Sequence, residues 1–546
     1  MKFINKILVF TALGMGATML TGCLDETEPE SATVTEKQVQ ESTLATEAAV
    51  LAMPAYFNHY DDAIVNRGWH YPFGYGANMY IRDLMTGDMG HDKTNYASHF
   101  YYWAQNKYQG DGYVFCQYVF NYYYGFVLTI NTAIGAVNPE NATDQQLGWL
   151  GAAYAFRALA YLDLARTYEF LPNDKFPDGK NKDGNVVTNL TVPIVTESMA
   201  VEETMNNPRA KREDMFNFIL SDLDNAEKYI VNLHNYVNNT LPDIACVYGL
   251  KARLYMWVED YANAQKYARL AIDNARVQPM TEDDCLDPTT GFNTISKWMW
   301  GSQQTKEDDT VSSGIINWTS WLSNQTTFGY TGFAEANMPY NVIDQRMYDR
   351  ISNTDFRKLE FLAPAESPLR EKNRLIPGTE EMINENMTQL ASLKFRPNAG
   401  NYKEYSTGAA SAYPVMRVEE MYFIEAEAAA HQNAEQGKQL CIDFMKNYRD
   451  PNYNIGQAAD LIDEIVFQKR VELWGEGQTF FDIKRLNMSV TRGYPGTNFY
   501  STTRLNTNGR PAWMNFVLIR SEENVNKAVV GWNNPDPSDL YTPWTE

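Results

Sequence analysis

The chain has 546 residues, five cysteines and a formal net charge of −22, from 46 basic against 68 acidic side chains. That length can bury a large core without help from disulfides or metals. The acidic balance excludes nucleic acid as the main partner, because phosphate contacts need a basic face, and 44% hydrophobic against 21% charged residues excludes a disordered chain. The aromatic share is 13%, with 35 Tyr, 26 Phe and 12 Trp. Most of these rings belong in a core, and the surplus of Tyr and Trp suits a surface that stacks against a ligand.

The N-terminus reads as an address. Lys2 and Lys6 precede an apolar run from Ile7 to Leu20, followed by Leu20-Thr21-Gly22-Cys23. A basic start, a short apolar stretch and small residues before a cleavage point describe a signal peptide, residues 1–22, and the run is too short to span a bilayer as a helix. Leu-Thr-Gly-Cys resembles a bacterial lipobox, which implies cleavage before Cys23 and acylation of that cysteine. The acyl chains would tether the mature protein to a membrane, and loss of Lys2 and Lys6 would leave it at −24. The acidic, Pro-, Ser- and Thr-containing stretch that follows reads as a flexible leash over 23–45. Its Asp-Glu-Thr-Glu-Pro-Glu resembles the surface-export signal of Bacteroidetes lipoproteins.

From residue 46 the chain reads as one domain with a mostly helical body. Periodicity predicts helices over Gln117–Ala136, Asp144–Tyr168, with its N-cap region at Asp144, and Asp214–Tyr229. Between Ala245 and Ala275 a first helix ends near Val258, Glu259-Asp260 makes a turn, and a second starts at Tyr261. Tyr255, Ala264 and Ala271 stand at the spacing of the Tyr and Ala positions of a tetratricopeptide repeat. Residues 171–195 read as a loop, and 285–413 contain no long periodic segment, the mark of a functional region built from short local elements. Helices resume at Pro414, a favoured first helical residue, run through His431, and follow again over Glu435–Lys446 and Ala458–Trp474. A C-terminal irregular segment, 488–546, completes the chain. Cys116, Cys246, Cys285 and Cys441 form no C-x-x-C pair. One or two disulfides fit an oxidising compartment, with buried thiols favoured at Cys246 and Cys441.

Catalytic patterns are absent: no G-x-S-x-G, H-E-x-x-H, Walker A loop or G-x-G-x-x-G occurs. His59, His70, His91 and His99 share one segment without the spacing of ligands on one helical face, so no metal is expected. Glu472 and Glu476 lie one helical turn apart and could not flank a glycosidic bond; they read as helix-end hydrogen-bonding groups.

Residues 467–486, Phe-Gln-Lys-Arg-Val-Glu-Leu-Trp-Gly-Glu-Gly-Gln-Thr-Phe-Phe-Asp-Ile-Lys-Arg-Leu, resemble the C-terminal signature of the SusD/RagB family of outer-membrane nutrient-binding lipoproteins. Arg470, Glu472, Glu476, Gly477, Phe481, Asp482 and Arg485 fit its pattern. Phe156-Arg157-Ala158 to Leu164, Val192-Pro193-Ile194-Val195, and Tyr413-Pro414-Val415-Met416-Arg417 with Glu425-Ala426-Glu427-Ala428 resemble further family segments in the same order. The signature reads as structural: a Gly-Glu-Gly turn between two helices, with Phe480 and Phe481 plugging the junction.

The resemblance implies a mainly α fold. A tetratricopeptide-like scaffold of about four helix pairs (46–284 and 414–487) would carry an irregular, loop-rich, ligand-facing region (285–413) and few short strands. It also implies a non-enzymatic lipoprotein on the cell surface, without a cofactor, that captures a glycan or peptide and caps a SusC-like TonB-dependent barrel. A pure protein-binding scaffold and a surface glycoside hydrolase are the competing readings. The acidic balance disfavours highly sulfated glycans unless a local basic patch overrides it. The resemblance does not carry the binding residues, so they are chosen by chemistry: sugar C–H faces stack on Trp and Tyr, and hydroxyls need amides, carboxylates or guanidinium. Two segments have that mixture. The first contains Trp69, Tyr71, Tyr75, Asn78, Tyr80, Arg82, Asp83 and Trp103; the second contains Asn317, Trp318, Trp321, Asn324, Tyr330 and Tyr340.

Overall fold

A computed structural model describes residues 42–93, 99–234, 239–289, 291–333, 338–455 and 460–546. The signal peptide, Cys23 and nearly all of the leash lie outside the described residues. Among those described, no helix is long and apolar enough to cross a membrane.

The scaffold is a row of helices in which each packs on the next. Helix α1 spans Thr43–Tyr56, three residues into the expected leash, capped by the Ser42 hydroxyl. It lies on α4 (Val114–Gly135), which packs on α5 (Asp144–Tyr168) and through it on α6 (Arg212–Ile230). Two shorter helices, α2 (Tyr75–Leu84) and α3 (His99–Ala104), precede α4. The bounds of α5 are those the periodicity predicts, but its cap is Thr143, which exchanges hydrogen bonds with Gln146 in a capping box. Helices α5 and α6 meet closely because glycine is placed where they touch: a Cβ at Gly151 would sit 2.4 Å from the Ile230 backbone nitrogen.

Helices α7 (Ile244–Trp257) and α8 (Tyr261–Asn274) form the expected repeat-like hairpin, turned at Glu259 and capped by Asp260. Ala264, Ala268 and Ala271 are fully buried, and these small side chains let α8 pack against both α7 and α9 (Val418–Gln432). Asn433 ends α9 and caps α10 (Ala434–Tyr448), so those two helices reverse through one residue. Then come α11 (Leu461–Glu472) and α12 (Thr479–Arg485). Helices α8 and α9 adjoin although residues 275–417 lie between them in the chain.

Those intervening residues are held by two small antiparallel sheets. In one, β1 (Met89–His91) pairs with β3 (Asn341–Ile343); in the other, β2 (Trp300–Gln303) pairs with β4 (Ala412–Met416). The expected helix start at Pro414 is therefore a strand, and α9 begins only at Val418. Pro414 sits opposite Gly301, beside the ladder's irregularity, in a two-stranded sheet with no second partner for its missing N–H. The remainder of 285–413 is irregular chain with short helices, of which the longest among the described residues is Glu380–Asn386. All four cysteines from Cys116 to Cys441 are buried free thiols, so no disulfide joins them.

The signature residues form a buried ionic hub rather than helix-end caps. Glu472 accepts from Arg417 at 2.6 Å, from Arg449 at 2.7 Å and from Arg357 at 3.3 Å, and Glu476 accepts from Lys394 and Arg417, both at 2.8 Å. Burial opposes ionisation of Glu472, yet these guanidinium groups hold its carboxyl well below the usual range. Lys394 and Arg357 come from the loop-rich region, Arg417 and Arg449 from the scaffold, so the hub fastens one to the other. Asp482 pairs with Lys469 at 2.8 Å, Arg485 with Glu427 at 2.5 Å, and Arg470 with Asp88. Gly477 has φ +69°, and a Cβ there would lie 2.7 Å from Met79 Cα; its N–H donates to Asp83. Phe481 is buried, with the Arg166 guanidinium of α5 3.6 Å from its ring centroid.

Candidate ligand site

Most of the rings chosen by chemistry are core. Tyr75 donates to Asp163 at 2.8 Å, and Arg82 pairs with the same carboxylate at 2.9 Å. Tyr80 hydrogen-bonds His91 at 2.7 Å and Asn341 at 2.9 Å, Asn78 donates to the Gly74 carbonyl, and Tyr71 packs edge-on against Phe100 and Tyr118. Asp83 is buried against the Gly477 N–H, and burial pushes its carboxyl well above the usual range. In the second segment Asn317 caps the short helix Trp318–Leu322, Trp318 stacks on Tyr413, and Trp321 lies flat on Tyr330 at 4.4 Å, with Tyr330 bonded to His70. Asn324 donates to the Asn341 and Ser392 carbonyls, and Tyr340 is buried beneath the Lys93 ammonium. These groups spend their polar atoms and faces inside the protein. The mixture of aromatics and amides that suits a sugar also suits the interface between a helical scaffold and an irregular insertion, which must satisfy many backbone groups.

Trp69 and Trp103 are different. Trp69 is half-buried and, with the 3%-exposed Trp103, lines a surface cleft of about 380 Å³ together with Tyr102, Tyr108, Tyr113, Val114 and Phe115. Tyr102, Tyr108 and Tyr113 are 37%, 42% and 42% exposed. Their rings meet edge to face or tilted, Tyr102 to Tyr108 at 4.9 Å and Tyr108 to Tyr113 at 5.0 Å. Trp103 forms the floor: it packs on Phe115 and Phe516 and donates its indole N–H to the Tyr108 carbonyl at 3.2 Å.

The loop carrying Tyr108 is fixed rather than pliant. Asn106 donates to Gln109 and to the Pro537 carbonyl, both at 2.7 Å, and accepts from the Leu540 N–H at 3.0 Å. The Gln109 N–H donates to Ser538 at 2.8 Å. The C-terminal segment thus clamps the loop from outside. Asn106 and Tyr108 both adopt positive φ, 58° and 59°. Asn tolerates that region, but for Tyr it is strained backbone, held where the surroundings over-determine it. Tyr102, Tyr108 and Tyr113 escaped the sequence reading, which stopped at Trp103. The signal was present in the run of aromatics from Tyr101 to Tyr113, but nothing in it distinguishes exposed rings from buried ones. Among the described residues, no three His, Cys, Asp or Glu side chains gather as metal ligands.

Two family models match the chain: the SusD family over residues 291–529, and the family described as starch-binding associating with outer membrane over residues 61–256. A SusD-like carbohydrate binding protein from Bacteroides vulgatus superposes with a TM-score of 0.67 at 21% identity, covering 91% of this chain and 98% of its own. SusD superfamily proteins from Bacteroides thetaiotaomicron (TM-score 0.65, 17% identity, 91% of this chain and 99% of that one) and Bacteroides fragilis (0.63, 19%, 90% and 99%) share the fold. No curated protein sequence matches. The chain belongs to the SusD family and has its mainly helical fold.

Proposed function

We propose that this protein captures an oligosaccharide in the aromatic cleft and delivers it, uncleaved, to a SusC-like TonB-dependent barrel, to which it acts as a lid tethered at the cell surface by acylated Cys23. The observation that carries this reading is the half-buried Trp69 with the exposed Tyr102, Tyr108 and Tyr113, set around a cleft of about 380 Å³ beside a clamped loop. Sugar C–H faces stack on such rings, and a preformed platform binds without paying to order itself. Tethering beside the barrel keeps local concentration high, so modest affinity suffices for transfer. Family membership and the carbohydrate-binding relative support the choice of ligand class.

A glycan array with the purified protein tests the reading, followed by calorimetry with Trp69→Ala and Tyr108→Ala. Each variant is expected to lose about 1–2 kcal/mol of binding, roughly tenfold in affinity. Unchanged affinity in both would remove the cleft as the site, and binding of peptides alone on the array would replace the glycan. Turnover of the bound glycan would make the protein an enzyme. Labelled palmitate incorporated in cells and lost in Cys23→Ala tests the anchor, and co-purification of a barrel tests the partner.

A further inference from the structure

A second cavity, of about 260 Å³, lies between α5, α7, α9 and α12, on the scaffold and away from the aromatic rings. Seven basic and four acidic side chains line it, in a chain whose net charge is −22. Most of its cations are answered: Arg253 pairs with Glu420 at 2.5 Å, Lys469 with Asp482 at 2.8 Å and Arg212 with Glu169. Two are not. Among the described residues, Lys484 has no carboxylate within ion-pair distance; its ammonium donates only to the Arg166 and Thr167 carbonyls, at 2.8 and 2.9 Å. Arg510 likewise pairs with no carboxylate and donates through Nε to the Asn487 amide at 3.0 Å. Glu169, a buried carboxylate of the same cavity, is already engaged by Arg212 and by the Trp257 indole N–H. Arg253 adds a third signal. It is 3% exposed and lines the same cavity, and its Nη1 is buried without an acceptor. An orphaned guanidinium N–H beside an uncompensated buried ammonium is costly unless something answers it.

We propose that this cavity binds a small oxyanion, the carboxylate, phosphate or sulfate group of a solute or of a substituted sugar, held by Arg510, Lys484, Arg212 and Arg253. An oxyanion offers several acceptor lone pairs to the donors left over, and guanidinium groups match its geometry with charge-assisted hydrogen bonds. The volume admits such a group with several waters, each occupying about 30 Å³ in the liquid. The walls supplied by Trp257, Leu171 and Met256 exclude bulk water and strengthen the attraction. Burial pulls the Lys484 ammonium well below its ordinary value, and a bound anion would raise it again. The mouth lies at the half-buried Arg510 and Arg212 and the exposed Glu259, so the ligand enters from solvent.

Isothermal calorimetry with inorganic phosphate, sulfate and galacturonate, each against chloride at matched ionic strength, tests the site on the whole protein. The expected result is saturable one-to-one binding of at least one probe, weakened about tenfold in Arg510→Gln and in Arg212→Gln and unaltered in Tyr108→Ala. Galacturonate alone would identify a sugar acid as the source, and phosphate or sulfate alone an inorganic or esterified anion. Lys484→Met removes a buried group that ties α12 to α5 and risks misfolding, which is why the mouth residues carry the test. Absence of saturable binding with all three probes, or equal affinity in the wild type and both mouth variants, overturns the proposal.

Discussion

Trp318 and Trp321 on one side, Tyr102 and Tyr108 on the other, come from stretches with the same mixture of aromatic, amide and hydroxyl residues. Yet the first pair is 0% and 1% exposed and the second 37% and 42%. The difference lies in what each stretch has to cover. Residues 317–330 connect the insertion to the scaffold, so their rings fill the gap between Tyr80 and Phe100 on one side and Tyr413 and Phe395 on the other, and their amides satisfy strand and loop carbonyls. Residues 105–113 lie over a floor that Trp103 and Phe115 have already closed. The rings above that floor keep about two fifths of their surface in solvent, and a clamp at Asn106 holds the loop in place. Rings available to a ligand are thus told apart less by type than by the packing around them.

This contrast can be broken by measurement. Trp318→Ala should cause the largest effect, a loss of about 3–5 kcal/mol of stability from an unfilled core, while the folded fraction keeps its glycan affinity. A denaturation curve together with calorimetry reads both, and an affinity loss without a stability loss would restore Trp318 to the binding site. Next in size is the acid limb of stability. Burial raises the cost of ionising Asp163, but Arg82 and Arg166 win and hold its carboxyl at about 2, below its ordinary 3.8. A carboxylate depressed on folding contributes stability above its unfolded pKa and loses it as pH falls. About 2 kcal/mol should therefore disappear between pH 4 and pH 2, and Asp163→Asn should flatten that limb of a melting-temperature scan. Arg82 would then stand as an ion-pair partner rather than a ligand contact. Smaller still, Tyr102→Ala should weaken glycan binding several-fold with less than about 0.5 kcal/mol change in stability, the usual range for surface substitutions. Asn106→Ala should raise the ligand's dissociation rate by a few-fold, because it loosens the platform without removing a ring; surface plasmon resonance would detect it.

The helices were legible because their signal is local. The spacing in α5 and the Glu259-Asp260 turn between α7 and α8 state their own boundaries, and the signature from Arg470 to Arg485 is contiguous. Pro414 was misread because the same residue opens a helix or sits in a two-stranded sheet, and only Gly301, distant in sequence, decides between them. Glu472 and Glu476 looked like helix-end groups because their partners Arg357, Lys394, Arg417 and Arg449 arrive from two other regions. Which rings stay exposed was not legible for the same reason. Exposure is a property of what lies beneath a side chain, and beneath Tyr108 lie residues from α4 and from the C-terminal segment.

The adjacency of α8 and α9 has a consequence for how the molecule is made and altered. A chain released N-terminus first reaches Asn274 with the alanine face of α8 uncovered, and that face waits through residues 275–417 for its second partner. Completion of the body is therefore a late, non-local event, of the kind that slows folding. Once the two helices meet, the excursion between them is a closed loop, and the entropy of closing a loop grows only with the logarithm of its length, about 0.6 kcal/mol per doubling. Residues can be added to or removed from that excursion at little cost to the body, provided Arg357 and Lys394 still reach their carboxylates.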